Sequence, residues 1–433
     1  MNPEPPIQIK LNSWLWPAMT AGLLGLNIFF PYQGWMVLII GMGLVWLTAW
    51  LWTRQLARNL FLIREMRFGW AQVGDLLEER FILKNTGLIP AIWVEIRDHS
   101  TLPDYQVSSA RGIEGQTSNS WITRQVCTRR GLFHLGPTTL STGDPFGIYS
   151  IVFEYSASAT ILVTPPILPL PSIQIQSRGQ TEEGRISRKI IDSSPVMLGV
   201  REYSSGDSLH RVHWPTTARR ESLFVKTSVS LPSGNWWIVL DLDRSAQLGQ
   251  GPASTEETAV LVAAAAANRG LEKGAPVGLI VNGQETTWLP PRLGVGQRQE
   301  ILQALAKAAP GENSLERLLR ASTSLVSSRS SLIIITACAE PGWLVPLLDR
   351  VQSGVTPTVL LLDPAGFGGA SSALEMTARL AALDVPFYLI QPDTLPRTDL
   401  YVTAENRWEW RRSPSGRVIA IHKPPELTWK LLQ

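Results

Sequence analysis

Residues 236–242 read Trp-Trp-Ile-Val-Leu-Asp-Leu, an almost continuous apolar run that ends beside an acidic residue. Strands that are buried on both faces have this composition, because neither face of such a strand meets water. Similar runs follow at 277–281, 332–337, 358–362 and 387–390. We therefore predict a buried sheet in the second half of the chain.

Helix-forming stretches alternate with these runs, at 256–273, 296–308, 343–353 and 371–383. The alternation predicts a parallel α/β sheet with helices on both faces. Ligands of such sheets bind beyond the carboxyl ends of the strands. Asp241, Asp243 and Ser245 lie at the end of the first run, and Asp363 lies at the end of a later one. This edge is the predicted location of a ligand site in the domain.

The segment 241–245, which reads Asp-Leu-Asp-Arg-Ser, resembles the metal-ion-dependent adhesion site of the von Willebrand factor A domain. That site has the pattern Asp-x-Ser-x-Ser, so Asp241 and Ser245 match, whereas Asp243 replaces the middle serine. The resemblance implies Mg²⁺, which prefers oxygen ligands. Arg244 departs from it by placing a positive charge there. Two interpretations stay open: a Mg²⁺ site of Asp241, Asp243 and Ser245, or solvated carboxylates at a strand end.

The region from about 67 to 166 contains short segments with alternating or β-rich composition, separated by turn signals. The clearest segments are 79–83, 91–97 and 120–128, and the clearest turns are 85–87 and 144–147. Strands and turns at this spacing predict a small antiparallel sandwich or barrel.

Two long apolar runs precede that region, at 14–30 and 35–52, and the second contains no charge. Each run is near the lower limit for crossing a hydrocarbon core of ~30 Å. Pro31 and Gly34 interrupt them, so we predict an antiparallel transmembrane hairpin. A cleavable signal peptide and a buried hairpin of a soluble protein are the alternatives. Only Lys10 supplies basic charge before the first run, which is unlike a signal peptide.

The basic residues after the second run predict the orientation of the hairpin. Arg54, Arg58, Arg64 and Arg67 follow the run closely, with Glu65 as the nearby acid. The positive-inside rule then places both ends of the hairpin in the cytoplasm. We predict a multi-pass protein of the inner (plasma) membrane, in contact with the lipid bilayer, whose soluble domains are cytoplasmic.

The most distinctive stretch is residues 199–220, hereafter the signature segment. It reads Gly-Val-Arg-Glu-Tyr-Ser-Ser-Gly-Asp-Ser-Leu-His-Arg-Val-His-Trp-Pro-Thr-Thr-Ala-Arg-Arg. This closely resembles the signature of the domain of unknown function 58 family: Arg-Glu-Tyr, Gly-Asp, Arg-x-Ile-His-Trp and Ala-Arg. The matching residues are Arg201, Glu202, Tyr203, Gly206, Asp207, Arg211, His213, Trp214, Ala218 and Arg219. Residues 129–137 and 144–147 also look like that family, so the resemblance covers nearly the whole chain.

The resemblance implies a role rather than a reaction, because the family has no established activity. Its members often stand beside genes for MoxR-type AAA+ ATPases. The implied function is a membrane-anchored, non-enzymatic scaffold or adaptor that binds such a protein partner in envelope or complex maturation. Nucleic acid is not an expected partner, because the net charge is only +3. No cofactor other than the Mg²⁺ of the first interpretation is predicted, since no phosphate-binding loop is present.

Three physical interpretations of the signature segment stay open. Its alternating charges could form Arg–carboxylate pairs that lock the two soluble domains together, with His213 and Trp214 packed against them. They could form a pocket for an anion or an acidic partner. An envelope-linked hydrolase using Asp207 and His213 as acid and base is the third interpretation.

These elements predict a membrane hairpin plus α+β multidomain protein, with an antiparallel β sandwich followed by a parallel α/β (von Willebrand factor A-like) domain. The predicted boundaries are an N-terminal tail at 1–12, the hairpin at 13–53, a β-rich domain at 54–170, the signature segment with its linker at 171–230, the A-like domain at 231–395 and a C-terminal tail at 396–433. The two cysteines, Cys127 and Cys338, fall in different domains and predict no disulfide framework.

The orientation can be tested with a reporter fused after Gln433. We expect a reporter that is active only outside the cytoplasm to stay silent there, because the basic flank retains the soluble part inside. A cytoplasm-active reporter at the same position is the matched control. Strong activity of the first reporter would contradict the orientation.

Overall fold

The computed structural model describes residues 6–66, 70–170, 173, 175, 196–204, 212–220, 222–229, 234–327, 330–369, 372–395, 409–412, 418–422 and 430–431. The chain forms two compact units. The first comprises Met1–Thr164 and Leu400–Gln433, and the second comprises Pro165–Asp399. Each unit is described by itself.

The first unit begins with strand β1 (Ile7–Leu11), helix α1 (Leu15–Phe29) and helix α2 (Gln33–Asn59). The two helices contact each other and are joined by residues 30–32. Among the described residues, α2 is the one helix long and apolar enough to cross a membrane. With 15 residues, α1 reaches about 22 Å at 1.5 Å per residue. The long apolar helix near the N-terminus suggests a membrane anchor.

The β-rich part of the first unit follows α2 without a loop. Its strands are β2 (Leu60–Met66), β3 (Trp70–Gln72), β4 (Leu76–Asn85), β5 (Ala91–Asp98), β6 (Ser109–Ile113), β7 (Thr117–Val126), β8 (Gly131–Leu135), β9 (Thr138–Gly143), β10 (Tyr149–Tyr155) and β11 (Ala159–Thr164). They form sheets in the orders β1-β10-β9-β5-β6, β2-β4-β7 and β3-β11-β8. Alternate residues of β4 are buried, as the period of a strand requires. The main core of this part includes Phe81, Leu83, Ile96 and Phe153 and extends to Leu56 of α2.

Strand β1 lies within the segment that the sequence analysis assigned to a tail. It pairs antiparallel with β10, so that Ile7 is opposite Phe153 and Leu11 is opposite Tyr149. Asn12 continues the contact by donating its N–H to the Ile148 oxygen at 2.8 Å. The chain therefore enters α1 from a strand of the same unit to which it returns with β2 after α2, and the two strands belong to different sheets of that unit.

A buried ion network holds the β-rich part together. The Arg64 guanidinium donates to Glu79 through Nε (3.1 Å) and Nη2 (2.8 Å), and through Nη1 to Asp98 Oδ1 (2.6 Å) and Thr138 Oγ1 (2.9 Å). All four side chains are buried. Burial raises the pKa of Glu79, and the facing Arg64 opposes that rise. Arg64 thus has a structural role that its place in the basic flank did not indicate.

The second unit contains eight strands and six helices among its described residues. They are β12 (Val196–Glu202), α3 (Trp214–Arg220), β13 (Phe224–Val229), β14 (Trp236–Asp241), α4 (Thr255–Glu272), β15 (Val277–Asn282), β16 (Thr287–Arg292), α5 (Val295–Lys307), α6 (Leu315–Ala321), β17 (Ser331–Thr336), α7 (Leu344–Gln352), β18 (Thr356–Leu362), α8 (Leu374–Ala382) and β19 (Phe387–Ile390). Six of the strands form one sheet in the order β16-β15-β14-β17-β18-β19. Neighbouring strands of this sheet run parallel to each other, except that β16 runs antiparallel to β15.

Hydrophobic cores lie on both faces of this sheet. Ile238 and Leu240 of β14 face one core, which includes most of α4, whereas Trp237 and Val239 face the other, which includes parts of α6, α7 and α8. The strand is buried at every position. All five apolar runs of the sequence analysis fall on strands of this sheet. The edge strand β16 was not predicted, because Pro290 and Pro291 interrupt its pattern.

Three short strands lie in the C-terminal part of the chain. β20 (Glu409–Arg412) pairs antiparallel with β21 (Val418–His422). β22 (Lys430–Leu431) pairs antiparallel with β2, so that it extends the β2-β4-β7 sheet. The segment predicted as a C-terminal tail therefore contributes to the first unit.

The ion network predicts a large effect of Arg64→Ala on the first unit. Removal of the guanidinium leaves two buried carboxylates without a partner, which we expect to lower the free energy of unfolding by ~3–5 kcal/mol. Arg124→Ala is the matched control, because Arg124 pairs with Glu78 on an exposed strand. The free energy of unfolding of each variant is measured from peroxide oxidation of the buried Met66 at increasing urea concentrations. Mass spectrometry reads the extent of oxidation. Equal midpoints for the two variants would refute the structural role of Arg64.

Candidate functional site

The first candidate site lies where three adjacent strands of the second unit end. Asp241, Asn282 and Thr336 are the last residues of β14, β15 and β17. Parallel strands bring their carboxyl ends to one edge, so these side chains meet there. Thr336 Oγ1 donates to Asp241 Oδ2 at 2.7 Å, and Asn282 Nδ2 donates to Asp241 Oδ1 at 3.2 Å. The edge that the sequence indicated therefore holds a polar cluster centred on Asp241.

Asp241 is fully buried at the centre of this cluster. Its Oδ1 also accepts the N–H of Asp243 at 3.2 Å. Burial raises the pKa of Asp241 to about 6, because desolvation outweighs the hydrogen bonds from Thr336, Asn282 and the Asp243 N–H. Asp241 is thus an acidic group that changes its charge close to neutral pH.

The side chains of Asp243 and Ser245 bond to each other. Asp243 Oδ1 accepts the N–H of Ser245 at 3.0 Å and its hydroxyl at 2.8 Å. These bonds cap the 3₁₀ turn Arg244–Ala246. An aspartate that bonds to the backbone two residues further on has a common turn geometry. The side chain of Asp241 thus accepts bonds from the neighbouring strands, whereas the side chains of Asp243 and Ser245 bond to each other.

The Mg²⁺ site of Asp241, Asp243 and Ser245 stays a prediction. Mg²⁺ requires near-octahedral oxygen coordination at about 2.0–2.1 Å, usually with one or two carboxylates and several waters. In the structure, the oxygens of Asp241 are bonded to three protein donors in a fully buried position. The bonds from Asn282 and Thr336 connect the ends of three strands.

Asn282 and Thr336 are the members of the cluster that the sequence analysis did not single out. Thr336 could have been found from the sequence, because it is a polar residue near the end of its apolar run, as Asp241 is near the end of its own run. Thr336 Oγ1 also accepts the N–H of Cys338 at 2.9 Å. Burial raises the pKa of the Cys338 thiol to about 11, so the thiol is protonated at neutral pH and is a poor nucleophile. Asp363 directly follows β18, and its side chain accepts the N–H of Ala373 at 3.1 Å.

The second candidate site is the signature segment, whose described part contains most of β12 and all of helix α3. β12 and the following strand β13 form a two-stranded ribbon. β12 pairs antiparallel with β13, and Glu202 is opposite Phe224. The N–H of His213 donates to the Phe224 oxygen at 2.7 Å, and the N–H of Phe224 donates to Thr217 Oγ1 at 3.0 Å. Helix α3 is therefore fastened to β13 at its start and in its middle.

His213 stands immediately before α3 and helps to begin it. Its ring Nδ1 lies 2.8 Å from Thr216 Oγ1. Its carbonyl oxygen accepts the N–H groups of Thr216 and Thr217, each at 3.1 Å. Half-buried in this position, His213 acts in the structure as a helix-capping residue.

Trp214, Ala218 and the charged residues of the described part are exposed. Trp214 keeps 65% of its surface accessible, and the charged residues are Arg201, Glu202, Arg219 and Arg220. The exposure of Trp214 does not agree with an indole packed against a network of ion pairs. The ion pairs themselves stay a prediction, because Asp207 and Arg211 lie outside the described residues.

The remaining residues of the family pattern divide into two groups. Tyr203 is half-buried, and its N–H donates to the Leu223 oxygen at 2.8 Å beside the β12–β13 ladder. Gly206, Asp207 and Arg211 lie outside the described residues.

Comparison with known proteins supports the family resemblance over the signature segment and the strands that follow it. Residues 199–365 match the family described as "Protein of unknown function DUF58". Uncharacterized proteins of Mycobacterium bovis and Mycobacterium tuberculosis are each 30% identical over 172 residues, which is 38% of this chain and 54% of each relative. The chain thus spans about half the length of the curated relatives it matches.

Solved structures give only distant likenesses. The CARDB domain of a Pyrococcus furiosus protein, in complex with di-metal ions, has 13% identity and a TM-score of 0.18, over 24% of this chain and 94% of that one. A Paenibacillus cycloisomaltooligosaccharide glucanotransferase has 7% identity and a TM-score of 0.16, over 70% of this chain and 45% of that one. Scores of this size carry no argument about fold or activity.

The position of Asp241 predicts a pH dependence of stability in the second unit. Its pKa is about 6 in the folded chain and near 3.8 when unperturbed. Its stabilising contribution is therefore complete below about pH 4 and is lost as the pH rises through about 6. Between pH 4 and 7 we expect the parent to lose on the order of 2–3 kcal/mol more unfolding free energy than Asp241→Asn, which keeps the shape and cannot titrate.

Peroxide oxidation of Met376, buried in the same unit, measures this difference across urea concentrations at each pH. Asp243→Asn is the control, since Asp243 lies in the adjacent turn and is only partly buried. Parallel pH profiles for the parent and Asp241→Asn would show that Asp241 does not titrate in this range.

Proposed function

We propose that this chain is a membrane-anchored adaptor that presents its signature segment to a protein partner. The observation that carries the proposal is the exposed Trp214, on a helix that His213 and Thr217 fasten in place. A large aromatic side chain left in water at a fixed position is typical of an interaction site. The proposal gives the segment a binding role and no catalytic one.

The anchor in this proposal is a hairpin of α1 and α2 that spans the inner membrane from the cytoplasmic side. Its support comes from the first unit, where β1 precedes α1 and pairs with β10, and β2 follows α2 directly. Two strands in one unit require the intervening chain to return to the side that it left. Arg54 and Arg58 are exposed after the apolar part of α2, as a cytoplasmic flank would be.

The chemistry of the exposed surface favours a partner with acidic groups. Arg201, Arg219 and Arg220 are exposed on the ribbon and helix, with Glu202 as the acid beside them. Arg and Trp are the residue types most enriched in the energetically dominant parts of interfaces. Trp214 and Ala218 are one helical turn apart, so the small alanine leaves the indole accessible along the same face.

The partner class is proposed from the family resemblance. Members of the domain of unknown function 58 family often stand beside genes for MoxR-type AAA+ ATPases, and we propose such an ATPase as the partner. An adaptor fixed to the membrane would hold the ATPase close to envelope proteins that are being assembled. This role requires no cofactor in the adaptor itself.

The hydrolase alternative has less support from the described residues. A general base needs a free ring nitrogen aimed at a substrate. In His213, Nδ1 lies 2.8 Å from Thr216 Oγ1, so Nε2 is the nitrogen left for such a role, and the half-buried ring lies just before a helix. Asp207, its proposed partner, lies outside the described residues.

The proposal predicts that Trp214→Ala weakens binding of the MoxR-type ATPase from the same genome. We expect at least about a tenfold loss of affinity, because truncation of a central aromatic residue commonly costs ~2 kcal/mol or more. Arg219→Ala should weaken binding in a salt-dependent way. The measurement is biolayer interferometry with the full chain in nanodiscs and the purified ATPase.

Leu374→Ala is the matched control, since Leu374 is an exposed apolar residue of the same unit. Binding of Trp214→Ala that equals binding of this control would exclude the signature segment as the docking surface. No binding by the parent would exclude the partner class.

A further inference from the structure

Exposed apolar side chains of the first unit gather at the end where α1 and α2 join it. Four of them, Leu88, Ile92, Trp93 and Phe146, are hereafter the apolar rim. We propose that the apolar rim inserts into the headgroup region of the bilayer, so that the β-rich part lies directly on the membrane. The inference rests on the proposed anchor and adds a second lipid contact to it.

Phe146 lies beside the start of α1. It is in the turn between β9 and β10, and Asn12 bonds to that turn through the Ile148 oxygen at 2.8 Å. Asp144 is buried and accepts the N–H of Phe146 at 2.8 Å, which fixes the turn. The aromatic ring nevertheless keeps 47% of its surface exposed. A fixed turn that holds an aromatic side chain outward is typical of a surface that contacts another molecule or a membrane.

Leu88 lies beside the end of α2. It is in the turn between β4 and β5, where the N–H of Thr86 donates to the Asn59 oxygen at 2.9 Å. Asn85 braces the turn by accepting the N–H of Gly87 at 3.0 Å and donating to the Ile89 oxygen at 2.9 Å. Leu88 is 73% exposed at its tip.

Ile92 and Trp93 connect these two turns along the same end of the unit. They lie in the first part of β5, and the Trp93 oxygen accepts from Thr142 Oγ1 at 2.6 Å. Thr142 is the next-to-last residue of β9, just before the turn that carries Phe146. The four side chains thus follow the loops from the end of α2 to the start of α1.

The charges at this end favour lipid over another occupant. Four basic side chains are exposed there: Lys10, Arg54, Arg58 and Lys84. In the described turns at this end, Glu114 is the exposed acid, while Asp144 is buried. Basic residues beside apolar and aromatic ones match an anionic membrane surface, where tryptophan and arginine or lysine side chains concentrate. Both helices leave the unit at the same end, which brings the rim to the bilayer surface.

The test places an environment-sensitive fluorophore on single accessible cysteines of the full chain with Cys338→Ser, in which Cys127 stays because it is buried. The chain is held in vesicles of phosphatidylcholine and phosphatidylglycerol. The rim is labelled through Leu88→Cys and Phe146→Cys. Ile122→Cys and Leu132→Cys are matched controls, because these side chains are comparably exposed but lie away from the rim. A lipid with a nitroxide on its headgroup should quench the rim labels at least about twofold more than the controls, since interfacial residues sit at that depth.

A label at Leu44→Cys in α2, with a nitroxide deep in the acyl chain, separates the two proposals. If the label at Leu44 is quenched while rim and control labels are quenched equally, the proposed lipid contact of the apolar rim is wrong and the proposed anchor is retained. Absence of quenching at Leu44 would overturn the anchor, and the rim with it. Rim labels that report a dry environment without headgroup quenching would also overturn the proposal, because a protein would then cover the rim.

Discussion

The antiparallel ladder between β1 and β10 is the constraint on which the arrangement of the first unit depends. It fixes the chain before α1 to the same unit in which the chain continues after α2. Two apolar helices between such fixed points can leave the unit only as a pair that returns. The ladder also sets the end of the unit at which they leave, and thereby brings the turns at Leu88 and Phe146 beside them. A short strand of exposed residues therefore determines where a much larger apolar segment lies.

The sequence indicated the strands of the second unit well because their signal is local. A strand such as Trp236–Asp241 is buried at every position, so its composition alone identifies it. Edge strands have no such signal. β1 is exposed at every position, and β16 contains two prolines, so neither forms an apolar run. The role of Arg64 was also hidden, since a count of charges does not tell whether a guanidinium faces water or two buried carboxylates.

The sequence predicted the location of the candidate sites better than it predicted their chemistry. Strand alternation identified the edge at which Asp241 lies, but the side chains that bond to it come from positions 41 and 95 residues further along the chain. Contacts over such separations depend on strand order, which a single sequence does not state. For the signature segment, the pattern of residue types pointed to the family that residues 199–365 match, whereas the exposure of Trp214 has no signal in the sequence.

Strand β16 at the edge of the sheet has a consequence for how molecules of this chain coexist. The free edge of a sheet is a row of unpaired backbone groups onto which another strand can add. Pro290 and Pro291 lie in that edge strand and have no N–H to offer. A neighbouring copy therefore meets an edge strand in which two residues cannot donate a hydrogen bond, and sheet extension between molecules is discouraged on that side. Such protection against aggregation is useful to a protein concentrated on a surface, where encounters between copies are frequent.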